Sequence, residues 1–450
     1  MDKSILNGSP KRIIYDCVGI GFGPSNIALA IAMEEKGLLE NSLFLEARDE
    51  VLWHPGMLIQ GTDIQHNPLR DFVTPRNPCS QYGFLSYLKS ENRLFDYLNL
   101  SAPFPPRTEY AKYIGWVAKQ FAEHVHLGVR VSNISCISDD FDGDLLAVET
   151  DEGQCFVART VVLGPGRSRN IPPEFQDLLC EDVIHSDDYL PAKTRWLCNG
   201  RGCRIAVVGG SQSAIEILLD LAKSTKVVGI ARGFGYQQKD LSPFTERIYF
   251  PAFVEYFHSF VASSQNEITS ELWRSNYSSA DHDVINALNF QMYEQKVNKK
   301  SDIQLFSNSK IEHIETSPRE SVYSLHLIDR YSRKPSVIAV DGIIFATGYK
   351  NFGRLENQEL IHPLLKTIAP NVVFREDGGP DVLRDYQLNK VSGAPLYLNG
   401  LCEASHGFGD AGSFSLISVR GDVIASSLQN YLQHGHEQNV IRKIGAAAHA

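Results

Sequence analysis

Three glycines at two-residue spacing, Gly19, Gly21 and Gly23, stand between an apolar run and the helix-like pattern of Ile27, Leu29, Ala30, Ile31 and Met33. That order is what a strand, a tight turn and a helix need in order to hold a pyrophosphate. Gly19 is expected to permit the sharp turn, Gly21 to let the backbone approach the phosphates, and Gly23 to let the helix pack close to its strand. Pro24 suits a first helical turn, where its missing N–H costs nothing. The phosphates then meet the free N–H groups and positive dipole end of the helix. A second apolar run ends in Glu46, somewhat beyond the usual spacing of about 20 residues but placed to accept hydrogen bonds from a ribose. A second such unit reads Val207-Val208-Gly209-Gly210-Ser211-Gln212-Ser213-Ala214. Ser211 takes its third glycine position, and Ala214 still allows close helix packing. The strand that follows ends in Arg232 rather than an acid. An arginine there pairs with a 2′-phosphate and favours NADP over NAD, the alternative being a solvated surface arginine. One bound flavin and one visiting nicotinamide nucleotide allow hydride transfer, and a reduced flavin can activate oxygen.

The elements that position these residues are legible in outline. Helical periodicity covers residues 82–97 and resumes at Thr108, with Tyr110, Tyr113, Ile114, Val117 and Phe121 on one face. Short alternating runs over 129–162 predict an antiparallel insert whose last strand returns to the first sheet. The second nucleotide unit begins roughly 190 residues after the first, which is duplication of a fold rather than a short repeat. A long aromatic stretch, 234–260, precedes Trp273-Arg274-Ser275-Asn276-Tyr277-Ser278. A hydrophobic strand at 340–346 ends in a small-residue turn, and 394–399 reads as another strand. A final helix is expected over 416–432, with a disordered tail at 445–450. The fold class is α/β, with two Rossmann-like dinucleotide-binding domains and a smaller substrate-binding region. The expected division is 1–195 and 336–450 for the first domain and 196–335 for the second, with the substrate segment at 234–300.

With 450 residues, 43% hydrophobic and 21% charged, the chain has ample length for large cores. A formal net charge of −10 argues against nucleic acid or an anionic membrane as a partner. Residues 1–12 lack the apolar core of a signal peptide, and 27–33 is too short to span a bilayer. A cytoplasmic protein is expected, and a homo-oligomer is compatible with this composition. The eight cysteines show no metal-ligand clustering. Cys198 and Cys203, flanked by a loop-like Asn199-Gly200-Arg201-Gly202, read as structural rather than as a redox pair. No metal is expected.

The constellation resembles the class B flavoprotein N-hydroxylating monooxygenases, in particular the lysine and ornithine N-monooxygenases of siderophore assembly. The likeness runs from about residue 13 to about 425. It rests on the first glycine motif through Asn26, Trp53-His54-Pro55-Gly56-Met57, Leu69-Arg70-Asp71-Phe72-Val73-Thr74, the second glycine motif, Asn276-Tyr277-Ser278, Phe345-Ala346-Thr347-Gly348-Tyr349 and His406-Gly407. The resemblance implies bound FAD, NADPH as reductant, and transfer of oxygen from a flavin C4a-hydroperoxide to a neutral primary amine. It implies that Gln65 lies beside the flavin and that Asn276 lies between nicotinamide and substrate. Trp53, His54, Thr347, Gly348 and Asp410 would border the cofactors.

Two departures bear on the substrate. Arg70 stands where the family has a lysine that pairs with the substrate carboxylate, and its fork can bind bidentately. A buried guanidinium without a partner is expensive, so Arg70 calls for an anion, with neighbouring Asp71 as the internal alternative. The family's Phe-Val-Asn-Glu is here Phe244-Thr245-Glu246-Arg247. Glu246 can hold an ammonium, and Arg247 can neutralise it or add a second anion site. A small amino acid meets Arg70 and Glu246 together. Aspartate would need both arginines, and a diamine would leave Arg70 to Asp71. Oxidation of sulfur or carbonyl carbon, and a redox sensor without turnover, are the competing readings.

Overall fold

A computed structural model describes residues 13–139, 143–198, 203–317 and 322–447; the loop-like 199–202 and the extreme tail lie outside these. Among the described residues one sheet has seven strands. Its order is Val125–His126, Ser42–Leu45, Ile14–Ile20, Cys155–Leu163, Gly143–Thr150 and Val131–Asp139, with Leu396–Leu398 also pairing Cys155–Leu163. Ile14–Ile20 runs parallel to both neighbours, whereas Gly143–Thr150 is antiparallel to each of its own, as the alternating runs predict. The second sheet is wholly parallel: Ile303–Phe306, Lys226–Ile230, Arg204–Val208, Gly342–Phe345, Val183–His185. A three-stranded antiparallel sheet, Ser309–Ser317, Val322–Asp329 and Pro335–Val340, packs on its face.

Sheet membership corrects the expected divisions at 195/196 and 335/336. Val183–His185 and Gly342–Phe345 both belong to the second sheet, so the chain crosses over between Leu163 and Val183 and returns after Phe345. Local hydrophobicity does not reveal which sheet a short buried strand joins. Residues 82–97 form two short helices, Phe84–Ser90 and Leu94–Leu98. The last helix runs Ile417–Ala447, well beyond the expected stop and through the first part of the expected tail.

The first helix, Pro24–Glu35, is buried continuously from Asn26 to Met33. A helix apolar all round needs cover on both sides. The seven-stranded sheet, whose buried residues share its hydrophobic cluster, supplies one side and Ile417–Ala447 the other. Gly421 makes that approach possible, since a Cβ there would sit 2.9 Å from the Ala28 carbonyl oxygen. Among the described residues no helix is long and apolar enough to cross a membrane.

Candidate active site

The first glycine turn has the expected form with its roles redistributed. A Cβ on Gly19 would lie 2.2 Å from the Phe44 ring, so this glycine serves close strand packing rather than the turn. Gly21 makes the turn at φ +79°, and its missing Cβ clears the Gly164 carbonyl oxygen. A Cβ on Gly23 meets nothing within 4 Å, leaving the start of the helix open. That helix begins with no side-chain cap and no acid in its first turn, which leaves its positive end to an outside anion. Glu46 accepts from the Phe22 N–H at 2.8 Å and the Arg48 N–H at 3.0 Å, which fixes its carboxylate at the strand end.

The turn is anchored from behind by a buried polar chain. Asn26 Nδ2 donates to the carbonyls of Ile20 and Gly21, Asn399 donates to Asn26, and Arg420 donates to Asn399. Arg420 in turn pairs with Asp410 at 3.2 Å. Asp410 is completely buried and also accepts from the Tyr386 hydroxyl. A side chain with no accessible surface cannot touch a cofactor, so Asp410 braces the turn from inside rather than bordering it.

In the second unit Gly209 clears the Ala346 carbonyl oxygen, and a Cβ on Gly210 would have only the Ala231 methyl near it, at 3.9 Å. Ser211 stands at the N-cap of Gln212–Leu221 without capping it, again with no acid in the first turn. Ser213 is half-buried in that turn. Gln212 is occupied, its amide held between Glu216 and the Asp281 N–H. Arg232 is exposed, and Arg330 donates to its carbonyl at 2.7 Å. Arg330 brings a second cation beside Arg232, unforeseen because it lies 98 residues away in sequence. These features fit two pyrophosphate-bearing nucleotides, FAD at the first turn and NADPH at the second.

Trp53, His54 and Tyr349 meet where the units approach. Trp53 stands edge-on to His54, Tyr110 and Phe414, and the His54 and Tyr349 rings are 6.5 Å apart. The Thr347–Gly348 turn is fastened to Asn170 by the Asn170 N–H to the Gly348 carbonyl and by the Thr347 hydroxyl to the Asn170 carbonyl.

Arg70, Glu246 and Asn276 gather about Tyr249. The Arg70 guanidinium lies over the Tyr249 ring at 5.7 Å, and the Tyr249 hydroxyl sits 3.4 Å from Asn276 Oδ1. Glu246 is close enough to influence the Tyr249 hydroxyl electrostatically. Asp71 is not the partner of Arg70. Its carboxylate is spent on the N–H groups of Val73, Thr74 and Phe84 and on the Thr74 hydroxyl. The polar contact of the Arg70 side chain is Ser415 Oγ at 3.3 Å, and no carboxylate pairs with it among the described residues. Arg247 does not neutralise Glu246; it is exposed and stacks over Phe244.

Gln65 reaches across the junction, its Nε2 donating to Asp281 at 2.7 Å. Beside it His66 stacks on Phe414, its Nδ1 2.8 Å from the Ile64 carbonyl oxygen, and burial pushes its pKa down to about 4. Two further clusters escaped sequence reasoning. Arg107 forms a paired contact with Glu216, both bonds 2.9 Å. Arg167, Tyr277 and Asn351 converge on buried Glu403, next to Asn276 across Gly412. Their partners lie 52 to 236 residues apart in sequence, so no local pattern announces them.

Two nucleotide folds meeting at a polar, aromatic-lined junction define a flavin-dependent oxidoreductase that draws on a nicotinamide nucleotide. The chain belongs to the L-lysine 6-monooxygenase/L-ornithine 5-monooxygenase family, whose profile matches residues 13–351. It is 32% identical to an L-ornithine N(5)-monooxygenase of Pseudomonas aeruginosa, over 96% of this chain and 97% of that protein. The structure of an ornithine N-hydroxylase from Kutzneria, holding reduced FAD, NADP+ and L-ornithine, is similar with a TM-score of 0.83 and 28% identity, covering 93% of this chain and 99% of that one. An L-lysine 6-monooxygenase from Pseudomonas syringae is similar with a TM-score of 0.80 and 32% identity, covering 92% and 99%. The chain is an FAD- and NADPH-dependent N-monooxygenase of an amine.

Proposed function

We propose that the substrate is an amino acid bearing a free α-carboxylate and α-ammonium, hydroxylated on a primary amine, as a cytoplasmic step towards a siderophore or related metabolite. The observation that carries this is Arg70, a half-buried guanidinium with no carboxylate partner among the described residues. Leaving such a group unmatched is costly, and a ligand carboxylate repays that cost by charge-assisted, bidentate contact. Half-buried Glu246, with no ion-pair partner among the described residues, suits the α-ammonium. Clamping both groups aligns the rest of the amino acid and fixes how far its other amine reaches. FAD reduced by NADPH supplies activated oxygen. Gln65 and Asn276 then supply the polar contacts that orient the amine, while Trp53, Tyr110 and Phe414 keep water away. The relatives named act on ornithine or lysine, and both carry the two groups that Arg70 and Glu246 suit.

The test is hydroxylamine formation from ornithine, lysine, aspartate, putrescine and cadaverine with NADPH and oxygen. Product from ornithine or lysine, and little from the diamines, supports the clamp. Efficient hydroxylation of a diamine that survives Arg70→Ala would overturn it.

A further inference from the structure

Asp281 stands at the N-cap of the helix His282–Val297, where an aspartate ordinarily accepts hydrogen bonds from its own first turn. It does not cap. Its carboxylate turns away and takes Gln65 Nε2 at 2.7 Å, a contact between residues 216 apart in sequence. Gln65 itself is held at φ +59°, a backbone region that glutamine seldom adopts. Asp281 thus leaves its own helix uncapped and Gln65 takes a rare backbone region, and their side chains meet across the junction.

The chemistry of that contact fixes which end of the amide faces where. A carboxylate only accepts, so Gln65 must present Nε2 to Asp281 and turn Oε1 the other way. Oε1 has no hydrogen-bond partner among the described residues. Asp281 is itself held: its N–H donates to Gln212 Oε1 at 2.8 Å, and Gln212 Nε2 donates to Glu216 Oε1 at 2.9 Å. Glu216 pairs with Arg107, and Arg107 donates to the carbonyls of Met57 and Asp63. Asp63 Oδ1 accepts from the Gln65 N–H at 3.1 Å, which closes the ring. The Gln212 amide is satisfied at both ends, and the Gln65 amide is oriented by its Nε2 contact to Asp281.

We infer that Asp281 is the positioning residue for Gln65, reaching from the NADPH-binding unit to set the amide so that its carbonyl, and not its NH2, faces the reacting oxygen and amine. This rests on the assignment of Gln65 to the reaction. A nicotinamide nucleotide seated at the Gln212 helix is then one hydrogen bond from the group that holds Gln65.

The experiment compares Gln65→Ala, Asp281→Ala, Asp281→Ser, Asp281→Asn and the Gln65→Ala/Asp281→Ala double variant, all purified with FAD. Serine can cap the helix but cannot reach Gln65, which separates loss of the contact from loss of the fold. Asparagine keeps an acceptor and should rescue in part. Asp281→Ala and Asp281→Ser should raise the hydrogen peroxide released per NADPH several-fold, and the double variant should be no worse than Gln65→Ala. A crystal structure of Asp281→Ser should show the Gln65 amide turned. If Gln65→Ala uncouples while Asp281→Ser does not, or if the two effects add, the positioning role is overturned. If Gln65→Ala leaves coupling unchanged, the assignment of Gln65 to the reaction falls, and the inference with it.

Discussion

Replacing Arg70 with alanine isolates the carboxylate clamp. Within the protein the guanidinium has a long contact to Ser415 Oγ, 3.3 Å, and a place over the Tyr249 ring at 5.7 Å. A cation over an aromatic ring contributes about 0.5–1 kcal/mol at a partly exposed site. Removing Arg70 orphans no buried carboxylate, because Asp71 is satisfied elsewhere. The fold should therefore lose little. Towards a substrate carboxylate the same group offers charged hydrogen bonds of about 1.5–3 kcal/mol. Their loss raises KM for the amino acid by about 10- to 150-fold, at 1.4 kcal/mol per tenfold. The part of the contact made alike in ground and transition states raises KM, and the alignment it gives the amine is lost with it and lowers kcat as well. Arg70→Lys should fall between, keeping the charge and losing the fork. The assay is hydroxylamine formed against substrate concentration, run in parallel with the decarboxylated amine of the same chain length, together with a thermal melt. Equal losses for acid and amine, or an unchanged KM for the acid, would refute the reasoning.

Arg232→Ala should raise KM for NADPH about tenfold, one charged hydrogen bond at an exposed site, and leave NADH unchanged; flavin reduction at varied nucleotide concentration checks this. Arg107→Ala leaves Glu216 buried and unpaired, at a cost of about 3–5 kcal/mol, and should lower the temperature of inactivation markedly. His362 accepts the Leu364 N–H at Nδ1, and burial pushes its pKa from 6.5 down to about 4. The folded state thus favours the neutral ring, so this contribution is full above about pH 6.5 and is lost as pH falls towards 4. Denaturant melts across that range should show the decline in the wild type and a shallower one in His362→Asn, whose side chain can still accept the N–H.

What was legible in the sequence was whatever is written over a dozen consecutive residues. The strand Ile14–Ile20, its turn and its helix form one local signal, and the structure reproduces it. The jobs of the individual glycines did not follow, because Gly19 answers to Phe44 and Gly21 to Gly164, neighbours that only the sheet supplies. Arg70, Glu246 and Asn276 could be named singly from the resemblance, but their common neighbour Tyr249 carries no mark in sequence. Asp281, Glu216 and Glu403 were missed for the same reason: an acid matters by what stands opposite it, and here the opposite residue comes from far along the chain.

The polar chain from Asn26 through Asn399 to Arg420 also sets the order in which the molecule can be completed on the ribosome. All five strands of the second sheet lie between Val183 and Phe345, so that unit can close while the chain is still emerging. The N-terminal unit cannot. Its central strand Cys155–Leu163 waits for Leu396–Leu398, and its first glycine turn waits for Asn399 and Arg420. The part synthesised first is thus finished last, with one side of the apolar helix Pro24–Glu35 uncovered until Ile417–Ala447 arrives. Through that interval the nascent chain exposes the surface that chaperones recognise and that other nascent chains can trap.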